Sequence, residues 1–198
     1  LGNPRYAEPI LSRITKASAR RRLGLDRRAP VVLWAGQPEG GVCRASLEAI
    51  RPALRRLGAV VLYKPHPRDP GAARIPAGAV RAPEDAALAV RASDLVATPF
   101  SSLALEAGLQ RTPAVFILLP GLGEEYLRRR TGSRELPWPA AGAAFLVRSR
   151  PQAYRVLRRA LTQPRARRTA LRRFSKMTAA ARHAAAGIAA SVAAAIDP

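Results

Sequence analysis

Lys64-Pro-His-Pro-Arg68 puts an ammonium, an imidazole and a guanidinium within five residues. The two prolines flank His66 and stiffen its backbone. A fixed imidazole can donate to a phosphate oxygen, and Lys64 and Arg68 add positive charge beside it. A second cluster, Thr98-Pro-Phe-Ser-Ser102, sets two adjacent hydroxyls where an apolar run gives way to a helical pattern. The first N–H groups of a helix lack internal partners and carry the positive end of the dipole. A phosphate at Ser101 and Ser102 would receive backbone and hydroxyl bonds together. The plain alternatives are a serine that only caps the helix and a histidine that is merely exposed.

Two further features fit the same chemistry. Gly36-Gln-Pro-Glu-Gly-Gly41 is neither the dinucleotide fingerprint nor a P-loop. Gly36, Gly40 and Gly41 would still let backbone approach a diphosphate, unless the loop is a plain tight turn. Glu106 lies four residues after Ser102, one turn on and on the same side of a helix. A carboxylate there accepts from vicinal hydroxyls such as those of a ribose, or is simply solvated. Glu124 and Glu125 read as solvated, and His183 has no comparable context. The chain has no His-Glu-x-x-His, no Gly-x-Ser-x-Gly, two histidines and one cysteine. That leaves no metal cluster and no nucleophile elbow to argue from. Basic strands interleaved with aromatic residues, which would mark an RNA-binding face, are also missing. Trp34 and Trp138 read as core and loop anchors.

The elements that must position these groups alternate in type. Short apolar runs at Val31–Ala35, Ala59–Tyr63, Asp94–Thr98 and Pro113–Leu119 predict buried parallel strands. A further short strand is expected at Gly78–Arg81 and a last one at Ala143–Val147. Helical patterns fall at Ile10–Leu23, Cys43–Leu57, Pro83–Arg91, Ser101–Gln110, Glu124–Arg130 and Gln152–Leu161, then at Arg165–Met177 and Ala180–Ile196. Gly24 and Gly58 stand where helices should end. Pro52 should kink or shorten the second helix. Alternation of this kind predicts an α/β fold with a Rossmann-like, doubly wound parallel sheet and a C-terminal helical tail. Both motif clusters then sit at carboxyl ends of strands, where open α/β sheets bind ligands.

With 198 residues the chain suffices for one such domain. Leu1-Gly-Asn-Pro4 predicts the interior of a longer chain. We expect a linker over 1–9, a nucleotide-binding domain over 10–163, and helices over 164–198 packing on it. The formal net charge is +21, and only Lys16, Lys64 and Lys176 are lysines. Such a charge fits a polyanion binder. It equally fits a composition rich in Arg, Ala, Pro and Gly spread over ordinary amphipathic helices, which is the reading preferred here. No apolar run in the sequence reaches the length of a membrane span, and one cysteine allows no disulfide framework.

These motifs together resemble the C-terminal, donor-binding half of GT-B glycosyltransferases. Leu1-Gly-Asn-Pro-Arg5 is similar to the stretch that enters this half from the interdomain hinge. Lys64-Pro-His-Pro-Arg68 resembles the His-Pro motif of bacterial sialyltransferases and Kdo transferases, and related segments occur in glycerophosphotransferases. Ser101-Ser102 resembles the Ser-Ser motif of the same sialyltransferases. The resemblance implies a nucleotide-sugar donor, such as a UDP- or CMP-sugar, and no metal or other cofactor. His66, Ser101 and Ser102 would hold the donor phosphate, with His66 the catalytic group. Glu106 would take the ribose. Gly36, Gly40 and Gly41 would line the phosphate end, with Lys64 and Arg68 beside them. It also implies an absent N-terminal acceptor domain, a cytoplasmic protein that can lie at the inner membrane face, and a role in bacterial cell-surface polysaccharide or glycolipid synthesis. The departures are the acidic catalytic motif, which belongs to the other half, and the pair of glutamates eight apart: Thr98 stands where the first would be. The rival readings are a UDP-sugar 2-epimerase-like enzyme of the same fold, a non-catalytic polyanion-binding module, and a family member without activity.

Overall fold

The structure, a computed structural model, describes residues 14–179. The expected linker over 1–9 and the Ala180–Ile196 helix lie outside the described residues. Six strands form one sheet: β1 (Val31–Ala35), β2 (Val60–Lys64), β3 (Ala79–Arg81), β4 (Leu95–Thr98), β5 (Ala114–Ile117) and β6 (Phe145–Val147). Their spatial order is β3-β2-β1-β4-β5-β6 and every pairing is parallel. The doubly wound sheet read from the sequence is therefore the fold. β1, β4 and β5 are buried at every residue, which is why they read as unbroken apolar runs rather than alternating ones. The two edge strands, β3 and β6, have three residues each.

Helices cover both faces. On one lie α2 (Gly40–Arg56) and α7 (Arg150–Thr162), whose Leu47, Ile50, Leu54 and Leu157 pack on Val32, Trp34, Tyr63 and Ile117. On the other, α3 (Ala86–Ala92) and α4 (Leu103–Leu109) bring Ala89, Val90, Leu103 and Ala107 against Val31, Leu33, Leu62 and Val96. Side chains of β1 alternate between the two clusters, as a strand's period of two requires. Helix α1 (Lys16–Arg22) precedes β1, and α5 (Gly123–Thr131) and the short α6 (Pro137–Ala140) separate β5 from β6. A final helical run over 164–179, α8, buries Ala170 and Phe174.

Local chemistry explains most boundaries. Gly24 and Gly58 adopt φ of +63° and +62° and end α1 and α2 as left-handed C′ residues. The following amides, Leu25 and Ala59, reach back to Arg20 and Leu54 carbonyls at 3.0 Å each. Pro52 does not end α2 early, since the helix runs on to Arg56. It stands on the exposed side of a helix held by Leu47, Ile50 and Leu54, so packing outweighs one lost backbone bond. Helix α3 starts later than the Pro83 expected, because Asp85 caps it by accepting from Leu88 N–H at 3.0 Å.

Asp94, just before β4, fastens α1 to the sheet. Its carboxylate accepts from Val31 N–H at 2.9 Å, Lys16 Nζ at 3.0 Å and Arg20 Nη2 at 2.5 Å. Burial works against its ionisation, but the Val31 amide and the Lys16 and Arg20 cations outweigh burial and hold it below the usual carboxylate range.

Candidate functional site

All six strands point the same way, so their carboxyl ends share one edge of the sheet. β1 lies between β2 and β4, and the connection from β1 to β2 goes one way while the chain later crosses to β4 on the other side. That reversal is the topological switch point of an open α/β sheet. Neighbouring strands are about 4.8 Å apart, so the loops after β2 and β4 flank the loop after β1 across a gap of about 10 Å. His66, Ser101 and Ser102 thus rise from one edge, with Gly36 between them.

The three loops are joined by specific contacts. Gly36 N–H donates to Lys64 carbonyl at 2.8 Å, and a β-carbon at Gly36 would lie 3.0 Å from that oxygen and 3.1 Å from His66 N. A side chain at position 36 would press on this backbone, so glycine eases the close approach of the loop after β1 to the one carrying the histidine. On the other side, Thr98 Oγ1 donates to Ala35 carbonyl at 2.9 Å and accepts from Ser101 N–H at 2.9 Å. The buried Gln37 amide reaches the same hydroxyl at 3.4 Å. The sequence assigns no site role to Thr98, which heads the Ser-Ser cluster, or to Gln37. Their signal was weak, since a threonine ending an apolar strand usually reports only β-propensity.

Each expected site residue has a definite place. His66 is half-buried, and its Nδ1 accepts from Arg68 N–H at 3.0 Å. In the neutral ring that leaves the proton on Nε2, the nitrogen available to a ligand. The exposed Arg68 guanidinium has no partner among the described residues. Lys64 behaves differently from its neighbours. Its ammonium donates to Pro83 and Glu84 carbonyls at 3.1 and 2.8 Å, tying β2 to the segment before α3. Burial lowers its pKa, against the pull of Glu84 and Asp85.

Ser101 Oγ accepts from Leu103 N–H, the first amide of α4, at 3.3 Å, although Ser102 holds the N-cap position. Ser102 is exposed, and its hydroxyl makes no cap bond. The pair therefore divides the capping and ligand readings between its members. Helix α4 has seven residues, so the hydroxyls count for more here than the dipole. The carboxylate of Glu106, half-buried one turn on, has no hydrogen-bond or ion-pair partner among the described residues.

The glycine loop holds a surprise. Gly40 opens α2, and a β-carbon there would lie 2.0 Å from an Asp69 carboxylate oxygen. Asp69 is buried; it accepts from Arg44 Nη1 at 2.9 Å and from Gly71 N–H at 2.8 Å. The space beside Gly40 that the sequence reading gave to a diphosphate holds the protein's own carboxylate. Gly41 faces open space.

Glu39 in the same loop accepts from Tyr126 hydroxyl and from Arg130 Nη2, the latter at 2.6 Å. Burial opposes its charge, but the Tyr126 and Arg130 bonds prevail and its pKa is lowered. Tyr126 also lies against Phe100, ring centroids 4.9 Å apart. Helix α5 is so bound to the loops after β1 and β4. Glu124 and Glu125 stand apart from this network; Glu125 pairs with Arg128 and Arg129, which pull its pKa down to about 2. Among the described residues no three His, Cys, Asp or Glu cluster as a metal site.

No protein-family profile and no curated protein sequence matches the chain. Solved structures do share its fold. One is WaaG, a glycosyltransferase involved in lipopolysaccharide biosynthesis: 20% identity, TM-score 0.52, covering 88% of this chain and 47% of WaaG. Another is the wall teichoic acid polymerase TagF, at 14% identity and TM-score 0.61, covering 98% of this chain and 52% of TagF. A third is described as a UDP-N-acetylglucosamine 2-epimerase of Listeria monocytogenes: 15% identity, TM-score 0.55, covering 86% and 46%. The chain has the Rossmann-like fold of one half of a GT-B glycosyltransferase, and spans about half the length of the structures it matches. No helix among the described residues is long and apolar enough to cross a membrane.

Proposed function

We propose that this chain is the donor-binding half of a GT-B glycosyltransferase that builds a bacterial cell-surface polysaccharide or glycolipid. The observation that carries the reading is the common edge: His66 and Ser101-Ser102 leave the strands flanking β1 at the switch point of a GT-B half. The donor is a nucleotide sugar. His66 Nε2–H and the free Ser102 hydroxyl donate to its phosphate, with Arg68 close by. Glu106 accepts from the ribose hydroxyls, and Gly36 and Gly41 keep backbone low beside the diphosphate.

Charge grows on the phosphate as the bond to the sugar's anomeric carbon breaks. Preset donors aimed at that oxygen lower the barrier. On this reading they do the task a divalent cation would do, and no metal or other cofactor is needed. The base that takes the acceptor's proton comes from a partner domain that a linker over 1–9 joins to the domain over 10–163, with 164–198 packed on the latter. The enzyme works in the cytoplasm, at the inner face of the membrane. The likeness to the epimerase structure supports a second reading, in which the full-length enzyme forms product with no acceptor.

The test is calorimetry with UDP, CMP, CDP and GDP on the chain, His66→Ala and Ser102→Ala. A hydrogen bond to a charged group is worth about 1.5–3 kcal/mol, so each change should weaken the preferred nucleotide by about tenfold or more. Unchanged affinity in both variants, with binding that collapses in salt, would move the chain to the polyanion-binding class. The chain by itself should turn over no nucleotide sugar.

A further inference from the structure

His66 sits on a support that the nucleotide reading leaves unused. His66, Pro67, Arg68 and Asp69 form a β-turn, closed by Asp69 N–H donating to His66 carbonyl at 2.9 Å. Pro67 holds the second position, where its fixed φ suits type I and II turns. Within the turn, Arg68 N–H donates to His66 Nδ1 at 3.0 Å. That amide sets the tautomer and direction of the ring, provided that the turn itself is held still.

Asp69 fixes the turn to the body of the fold. Its side chain is 1% exposed, and both carboxylate oxygens are engaged. Oδ1 accepts from Gly71 N–H at 2.8 Å, and Oδ2 from Arg44 Nη1 at 2.9 Å. The Asp69 carbonyl accepts from Ala72 N–H at 3.0 Å. Arg44 stands on α2, the long helix that packs on the sheet, and its Nη1 also reaches Gly71 carbonyl at 3.4 Å. Two glycines make room for the pair. A β-carbon at Gly40 would overlap the carboxylate, and one at Gly71 would lie 2.7 Å from Arg44 Nη2.

We infer that Asp69, held by Arg44, is a positioning residue for His66: it anchors the turn whose Arg68 amide aims Nε2 at the donor phosphate. The inference rests on the proposed nucleotide site. Two observations favour positioning over stability alone. Every bond of the anchor belongs to the loop that carries the histidine or to the first two turns of α2. A buried ion pair also stabilises a fold little, since desolvation offsets most of its attraction; what it secures here is a geometry.

The test pairs nitrogen-15 NMR of the imidazoles with calorimetry, on the chain, Asp69→Asn, Arg44→Met and Arg44→Lys. His66→Ala identifies the His66 signals, and the NMR needs no ligand. At about pH 8.5, above the ordinary imidazole range, His66 in the unaltered chain should show one tautomer, with the proton on Nε2. Asp69→Asn and Arg44→Met should move both ring nitrogens towards the averaged positions of an untethered imidazole. Arg44→Lys keeps a cation beside Asp69 and should retain most of the native signal. Asp94→Asn removes a carboxylate anchored at the opposite edge of the sheet and should leave the His66 signals in place. In calorimetry with the preferred nucleotide, Asp69→Asn should lose up to the tenfold or so that His66→Ala loses. Both changes together should bind no more weakly than His66→Ala alone. If Asp69→Asn does not fold, Arg44→Met makes the same comparison from a side chain that is 27% exposed. His66 signals that stay put in both variants, that move equally in Asp94→Asn, or affinity losses that simply add would overturn the inference. A displaced imidazole in a chain that binds none of the nucleotides would uphold the positioning and overturn the nucleotide reading.

Discussion

At the scale of single residues, the close contacts give the sharpest expectations. Gly40 stands on a carboxylate that cannot retreat, because Asp69 is buried and bonded to Arg44 and Gly71. Gly40→Ala should cost about 1–3 kcal/mol, read as a lower melting temperature. Asp69→Ala in the same chain should recover part of that loss, since the two changes share one cause. Gly36→Ala should act differently. The neighbour there is backbone of the histidine loop, so nucleotide affinity should fall more than stability. Cys43 offers a third check. Its thiol is buried, and burial pushes its pKa up to about 12 while the Gln37 amide bonded to it pulls the other way. The thiolate is the reactive form, so Cys43 should stay unmodified by a thiol reagent at pH 8 until the chain unfolds. Fast labelling of the folded protein would contradict this burial.

At the scale of elements, Asp94 joins α1, β1 and β4 through one carboxylate. A carboxyl whose folded pKa is depressed stabilises the fold above its unfolded pKa, near 3.9, and loses that stabilisation as pH falls towards the folded value. Acid melting of the chain should therefore steepen below about pH 4, and Asp94→Asn should remove that component. The buried Arg20 guanidinium would lose its carboxylate but keep the Ala92 and Arg27 carbonyls, at about 1.5–3 kcal/mol. Elements were also what the sequence told best. The unbroken apolar runs and the terminal glycines at 24 and 58 stated strand, helix and stop in local chemistry, and the sheet followed. What stayed hidden depended on distant partners. Lys64 read as a ligand because nothing near it in sequence says that the carbonyls of Pro83 and Glu84 will claim it. Glu39 read as a loop residue because Tyr126 and Arg130 lie some ninety positions away. Asp69 closed on Gly40 through a fold that neither position announces.

At the scale of the whole molecule, a formal charge of +21 on 198 residues means strong self-repulsion. Added salt should raise the melting temperature until screening is complete, and a flat response would mean that the arginines are already neutralised by bound anions. The sheet ends on each side in a strand of three residues, one of them carrying Arg81. So brief a margin offers a visiting strand few rungs, and stacking of one copy's rim on another's is poorly rewarded. Concentrated solutions should accordingly stay free of fibrils, and heated samples should clump only after the interior itself has come apart.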